Sequence, residues 1–291
     1  MKYYLERGLT FMMKNIADFK LNDELKVPAI GFGTFKLNGS DGVKGIKDAI
    51  DLGYRLIDSA FNYENEGAVG EAVKACSVSR DKLIITSKLP GRHHKYKEAI
   101  NTIEESLYRA HLDYYDLYLI HWPNPRVNLY VEAWQAMIEA KKRGLIKSIG
   151  VCNFMPEHLE TLIKETGVTP SINQIELHPY FNQQELRDFD EKHGIITEAW
   201  SPLGRGNDML KNEKIAEIAE AHNKTISQVI LRWHIQLGVI PLPKASSKEH
   251  QLENLNIFDF NLSEDDISII NKLTREDGRT YNQDPRTYEE F

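Results

Sequence analysis

The sequence predicts a (β/α)8 barrel, and three observations carry that expectation. Eight short β-rich runs recur along the 291 residues. Stretches with helical periodicity separate them, the alternation expected of βαβ units and a parallel sheet. The length fits as well, since eight such units closed on themselves typically take about 250 residues. A doubly wound open sheet is the rival. It would be helped by a Gly-x-Gly-x-x-Gly turn after the first strand, but Gly31-Phe32-Gly33-Thr34-Phe35-Lys36 lacks the third glycine.

In chain order the pattern opens with a hairpin over residues 19–27, turning at Asn22-Asp23 and placed to close the N-terminal end of the barrel. Strands are expected at 29–35, 55–60, 83–89, 115–122, 146–154, 171–177, 195–200 and 239–245. Amphipathic segments at 43–52, 96–111, 129–143 and 185–192 supply crossover helices. Between the last two strands, 213–222 and 226–237 are both helical in pattern, where one crossover would suffice. The tail, 281–291, reads as an irregular loop over the barrel mouth, a position from which loops set specificity. Residues 1–18 read as an N-terminal extension and 19–291 as one barrel domain, with no repeat or linker. Translation from Met12 or Met13 is a side expectation, because the segment before them shows no clear periodicity.

Composition narrows the partners. Hydrophobic residues make up 41% and charged residues 27%, with a net charge of −7, an ordinary globular balance. Lysine and arginine are scattered, and the longest basic run is Lys141-Lys142-Arg143, so no nucleic-acid platform is expected. Cys76 and Cys152 make no disulfide framework and suit a reducing compartment. No apolar stretch nears the ~20 residues of a membrane span. Glu6-Arg7 also stands where a signal peptide would be apolar. The expectation is a cytoplasmic monomer with a small-molecule substrate and no membrane or nucleic-acid partner.

Barrel chemistry sits at the C-terminal ends of strands, where the βα loops converge. There the sequence places Asp58 with Tyr63 close behind, then Lys88, His121-Trp122, Asn153, Asn173-Gln174 with Glu176, Trp200-Ser201 and Lys244. Each has a plainer role taken singly. Asp58 suits a helix N-cap, Lys88 an outward lysine, His121 a satisfied core histidine, and Tyr63 simple packing. Together an acid, a phenol, an amine and an imidazole on one rim are hard to explain by folding. No Cys-x-x-Cys or His-x-x-x-His pair is present and no Gly-x-Ser-x-Gly elbow, so neither a metal nor a serine nucleophile is expected. An ammonium beside a phenol stabilises the phenolate, so Lys88 is expected to lower the Tyr63 pKa and sharpen it as a proton donor. Asp58 would keep Lys88 charged, and a neutral His121 N–H would hydrogen-bond a carbonyl oxygen. Such a device lacks an electron source, so a bound cofactor must supply hydride.

At these residues the sequence resembles the aldo-keto reductase family, from about Phe19 to the C-terminus. The motifs are Gly53-Tyr54-Arg55-Leu56-Ile57-Asp58-Ser59-Ala60 with Tyr63, Ser87-Lys88, Leu119-Ile120-His121-Trp122-Pro123, Gly150-Val151-Cys152-Asn153-Phe154, Asn173-Gln174 and Trp200-Ser201-Pro202-Leu203-Gly204. Pro243-Lys244 with Glu253-Asn254 completes them. The resemblance implies a (β/α)8 barrel that binds NADPH in an extended pose and reduces aldehydes or ketones through the tetrad Asp58, Tyr63, Lys88 and His121. It assigns the carboxamide to Asn153 and Gln174, and the nicotinamide face to Trp200. The pyrophosphate falls to Ser201, Pro202 and Leu203. Lys244, Ser246, Ser247, His250, Glu253 and Asn254 surround the adenosine end. Thr34, Phe35 and Trp122 come near nicotinamide and substrate. Tryptophan at 200 resembles the prokaryotic branch with 2,5-diketo-gluconate and glyoxal-type reductases.

Three positions depart from the family pattern. Cys152 and Ala245 replace serines, and His250 stands in place of an arginine over the adenosine 2′-phosphate. Neutral histidine cannot give the bidentate, always-charged contact of arginine. The expectation is weakened NADPH preference with dual use of NADH, Lys244 retaining some phosphate affinity and Lys248 available to compensate. Two readings from other classes remain at this point: a cofactor-binding regulatory subunit, and an aldolase using Lys88 as a Schiff base.

Overall fold

The computed structural model describes residues 18–206 and 208–291. The N-terminal extension and the alternative start therefore lie outside the described residues, save Asp18. Strands β1 (Asp18–Lys20) and β2 (Lys26–Pro28) pair antiparallel as the expected hairpin. Eight parallel strands follow: β3 (Gly31–Gly33), β4 (Leu56–Asp58), β5 (Ile84–Leu89), β6 (Tyr115–Ile120), β7 (Ile146–Cys152), β8 (Ile172–Glu176), β9 (Ile196–Trp200) and β10 (Ile240–Pro241). They hydrogen-bond in sequence order, and the Gly33 amide donates to the Pro243 carbonyl at 3.0 Å across the seam. The chain is the (β/α)8 barrel its sequence predicts.

The strands at the seam are shorter than expected, because Pro241 and Pro243 have no N–H to offer a ladder. Gly31 and Gly33 serve that seam and not a phosphate turn. A Cβ on Gly31 would lie 2.4 Å from Leu242 Cδ2, and one on Gly33 3.1 Å from the Leu242 carbonyl oxygen.

Helices α1 (Gly39–Leu52), α2 (Glu66–Ala75), α3 (Tyr96–Ala110), α4 (Tyr130–Lys142), α5 (Pro156–Thr166) and α6 (Gln184–Lys192) form the crossovers between β3 and β9. The doubled helix before β10 is present as α7 (Glu213–Ala221) and α8 (Ile226–Gln236). Two later helices, α9 (Lys248–Leu255) and α10 (Glu264–Asn271), have eight residues each, too few to show a period. Caps define them instead. The Ser247 and Ser263 side chains accept the amides of His250 and Asp266, satisfying donors that the first turn leaves unpaired. No helix among the described residues is long and apolar enough to cross a membrane.

The period of two along each strand separates two cores. Outward residues such as Ile57, Ile85, Tyr118 and Val151 pack with Ile103, Trp134 and Trp233 of the helices. Inward residues Leu56, Leu117, Leu119, Ile172 and Ile240 pack with Leu21 and Val27 of the hairpin, which plugs the N-terminal end. Full burial of each such side chain is worth about 1.5–3 kcal/mol. The same inward register then carries polar residues above that apolar floor. Asp58 stands two after Leu56, Gln174 two after Ile172 and Glu198 two after Ile196.

Candidate active site

Neighbouring strands deliver the central pair. β4 and β5 register Asp58 against Thr86, so Lys88, one inward step further, reaches back over the Asp58 carboxylate. Its ammonium donates to Asp58 Oδ1 at 2.7 Å, Asp58 Oδ2 at 2.8 Å and the Ser59 carbonyl at 2.7 Å. Asp58 is thus an ion-pair partner and not a helix cap. With these three contacts made, the ammonium also lies over Tyr63, 5.1 Å from the ring centroid, and acts on the phenol chiefly through its charge. Tyr63 comes from a single 3-10 turn after β4, Phe61–Tyr63, followed by Glu64 in the left-handed region at φ 54°. Asn38 donates to the Tyr63 carbonyl at 3.0 Å and pins that turn. His121 follows β6, with its ring edge-on to Tyr63 at 6.0 Å between centroids. Its Nδ1 lies 2.7 Å from Glu290 Oε1 in the tail. The contact is close, but the ring nitrogen is not aligned for a hydrogen bond by strict geometry.

The electrostatics correct one expectation. Burial works against the Lys88 charge, but Asp58 outweighs it and the Lys88 pKa is raised. For Tyr63 burial is the largest influence and raises the pKa. Lys88 pulls it down, Asp58 pushes it up, and the result is about 12. Lys88 does pull the Tyr63 pKa down as expected, and by more than Asp58 pushes it up, but burial outweighs it and the pKa does not fall below its ordinary value. Because Tyr63 is only half-buried and faces an open cavity, water blunts the burial effect, but the direction stands. Tyr63 is a protonated phenol at neutral pH, the state a proton donor requires.

Beneath the pair, Gln174 Nε2 donates to Asp58 Oδ1 at 2.9 Å and Glu198 Oε2 at 3.0 Å. Burial first, then the neighbouring Asp58 charge, push the Glu198 carboxyl from its ordinary 4.5 to about 8. The folded state thus holds a proton that the unfolded chain releases above pH 4.5. The Glu198 contribution to stability is present in full below that pH and declines as pH rises toward 8. Glu198→Gln keeps an acceptor for Gln174 and removes the titration. Its urea midpoint is expected to exceed wild type at pH 8, with a flatter decline between pH 5 and 8; identical slopes would overturn this. Asp190, also held near 8 by burial, provides the remaining slope.

Above these groups opens a cavity of about 610 Å³ with Asp58, Tyr63 and His121 on its wall. Phe35, Trp122, Trp200 and Tyr281 make it aromatic, and Ser201, Pro202, Leu203 and Lys244 line one flank. The tail thus contributes to the mouth as expected, with Tyr288 packing on Trp122 at 4.4 Å between centroids. Lys36, Arg205 and Gln283 also line it and were not singled out from sequence. Arg205 sits in a left-handed turn at φ 54°. It donates to Tyr281 Oη at 2.7 Å, and nothing in its local pattern marks it.

Other expected contacts are placed differently. Thr34 is buried behind the wall, its hydroxyl donating to the Asp58 carbonyl at 2.9 Å. Asn153 Nδ2 donates to the His121 carbonyl at 3.0 Å, and its Oδ1 accepts from Trp200 Nε1 at 2.8 Å. Asn153 therefore sets the indole plane of Trp200. Both Gln174 amide protons are committed to Asp58 and Glu198, and the side chain is buried beneath the cavity. Cys152 joins the apolar barrel interior.

At the far end, Lys244 donates to Ser246 at 3.1 Å and Ser247 caps α9. His250 stands exposed in its first turn. Lys248, the residue expected to compensate, pairs with Asp48 at 2.9 Å. Glu253 accepts from Thr225 at 2.7 Å, and Asn254 is buried. This donor set suits a nicotinamide dinucleotide: an indole face, an amide acceptor, a lysine, and a helix N-terminus for phosphate.

Comparison with known proteins identifies the family. Residues 29–275 match the sequence profile described as the Aldo/keto reductase family. The chain is 50% identical over 279 residues to 2,5-diketo-D-gluconic acid reductase B of Corynebacterium sp. (strain SHS752001), covering 96% of this chain and 100% of that protein. It is 43% identical to methylglyoxal reductase DkgA of Escherichia coli (strain K12), over 94% of this chain and 98% of that one. A solved structure of a Gox0644 mutant in complex with NADPH superposes with a TM-score of 0.90 at 42% identity, covering 94% of this chain and 99% of that one.

Proposed function

The chain belongs to the aldo/keto reductase family, and from that premise we propose that Tyr63 donates the proton in its carbonyl reduction. The protein is an oxidoreductase that reduces aldehydes or ketones to alcohols with NADPH. One observation carries the assignment of roles: Lys88, paired with Asp58, lies against Tyr63 on the wall it shares with His121.

A bound nicotinamide cofactor supplies the hydride to the carbonyl carbon. The residues of the chain manage what happens at oxygen. Tyr63 and His121 hold the carbonyl oxygen between them, and as negative charge grows there Tyr63 releases its proton to it. Lys88 stabilises the phenolate left behind, and Asp58 keeps Lys88 from turning its protons elsewhere. Trp200, braced by Asn153, would offer a face to the nicotinamide ring, and the Gln174 carbonyl would meet the carboxamide. Ser201, Pro202 and Leu203 would flank the pyrophosphate, while Lys244, Ser246, Ser247 and His250 would serve the adenosine end. The aromatic wall favours small, moderately apolar carbonyl compounds, and Lys36 and Arg205 at the rim tolerate an anionic group on them. The intact tetrad weighs against a regulatory subunit. Asp58 holding Lys88 charged weighs against a Schiff base.

His250 at the adenosine end favours dual use of NADPH and NADH. Losing one charge-assisted hydrogen bond to the 2′-phosphate costs about 1.5–3 kcal/mol, or about ten- to a hundredfold in affinity. Lys248 shares its charge with Asp48, which leaves Lys244 as the cation assigned to that phosphate. The test is kcat/KM for both cofactors over a panel of neutral and anionic carbonyls. The expected result is turnover with both cofactors and a preference for NADPH of about a hundredfold or less. A far larger preference overturns dual use, and no turnover with any carbonyl overturns the reductase assignment for this site.

A further inference from the structure

Glu290, penultimate in the sequence, is almost fully buried and reaches the site from the tail. Its contacts form a built socket. Asn62 Nδ2 donates to Oε1 and the Gly91 amide to Oε2, each at 2.8 Å. Asn124 grips the backbone on both sides, donating to the Glu290 carbonyl at 2.8 Å and accepting its amide at 3.0 Å. Gly91 is needed for this fit, since a Cβ there would lie 2.4 Å from Asn124 Nδ2. The remaining approach to the carboxylate is His121 Nδ1, 2.7 Å from Oε1. Burial opposes the charge, but His121, Gly91 and Asn62 together hold the carboxyl down to about 2.

A carboxylate offers only acceptors, so a ring nitrogen 2.7 Å from it is favoured as N–H over a bare lone pair, even where the contact is not fully aligned. The partner at one ring nitrogen decides the state and orientation of the other. With Nδ1 turned to Glu290, the Nε2 edge is left for the cavity that His121 lines. A carbonyl oxygen there is a second acceptor, on the opposite edge of the ring from Glu290.

We propose that Glu290 is a positioning residue for His121: seated in the socket of Asn62, Gly91 and Asn124, it holds the Nδ1 edge and presents Nε2–H to the substrate carbonyl. Docking of the tail and readiness of the histidine are then one event. The proposal rests on the roles given above to Tyr63 and His121.

The experiment compares Glu290→Gln with Glu289→Gln in the full chain, each also in a His121→Gln background. Glu289 accepts the Arg126 amide at 2.6 Å and anchors the same tail. Glu290→Gln is expected to lower kcat about ten- to a hundredfold, the usual effect of losing a partner that orients a histidine. Carbonyl KM and NADPH affinity should stay near wild type, as should kcat in Glu289→Gln. In the His121→Gln background Glu290→Gln should cause no further loss, because its effect passes through the ring. An equal loss in both backgrounds, or a Glu290→Gln rate matching Glu289→Gln, overturns the proposal while Tyr63→Phe and His121→Gln remain impaired. Full activity in Tyr63→Phe instead overturns the underlying assignment, and the Glu290 role with it.

Discussion

Tyr63→Phe is expected to lower kcat for carbonyl reduction by about 10²–10⁴-fold, the usual contribution of a positioned general acid. One oxygen is lost, and the rest of the environment has reason to persist. The ring packs against Phe35 at 5.0 Å between centroids and under the Lys88 ammonium, contacts that phenylalanine keeps. NADPH affinity, read from quenching of Trp200 at the cavity wall, should therefore stay near wild type, as should the thermal midpoint. The loss should sit in kcat. The pH dependence follows from the raised Tyr63 pKa of about 12. A donor is active in its protonated form, so the limb that Tyr63 imposes lies in strongly alkaline solution and reduction stays level through neutrality on its account. Near wild-type turnover in Tyr63→Phe would remove the phenol from the chemistry.

Much of this site was legible in the sequence because a strand is a ruler. A period of two fixes which residues point inward, and a parallel register fixes which stand side by side. Asp58 at the end of one run and Lys88 at the end of the next could thus be placed together without coordinates. The same logic put His121 and Gln174 on that rim. What stayed hidden obeys no period. Glu290 meets Gly91 across 199 positions through an irregular tail, and Arg205 reaches the mouth from a left-handed turn. The Tyr63 pKa is hidden from sequence for a related reason. Sequence placed the cation nearby, but the depth of burial and the share of Lys88 charge already answered by Asp58 are properties of the packed barrel. In sequence, Gly31-Phe32-Gly33 looks like half of a phosphate fingerprint. Its actual constraint, the return of Leu242 against the first strand, exists only once the barrel closes.

Lys88→Met should show how much the ion pair gives to stability and how much to chemistry. Methionine fills similar space, so packing is largely conserved, but Asp58 loses the ammonium that gave it two hydrogen bonds and keeps Gln174 as a donor. Breaking a buried pair from one side costs about 3–5 kcal/mol, a large share of ordinary stability, and the urea midpoint should fall accordingly. Turnover should fall as well, since the bare Asp58 charge pushes the Tyr63 pKa further up while nothing pulls it down. Combining Asp58→Asn with Lys88→Met separates the two effects. Replacing both charges removes the unpaired anion, and exchanges of whole buried pairs are often neutral or stabilising. The double variant should therefore recover most of the lost stability. Its turnover should stay low, because a phenolate forming at Tyr63 would still find no cation. If turnover returned with the fold, the pair would be a structural element of the barrel alone, and Tyr63 would donate its proton unaided. Low turnover in a stable double variant instead fixes the Lys88 contribution as charge delivered to the phenol.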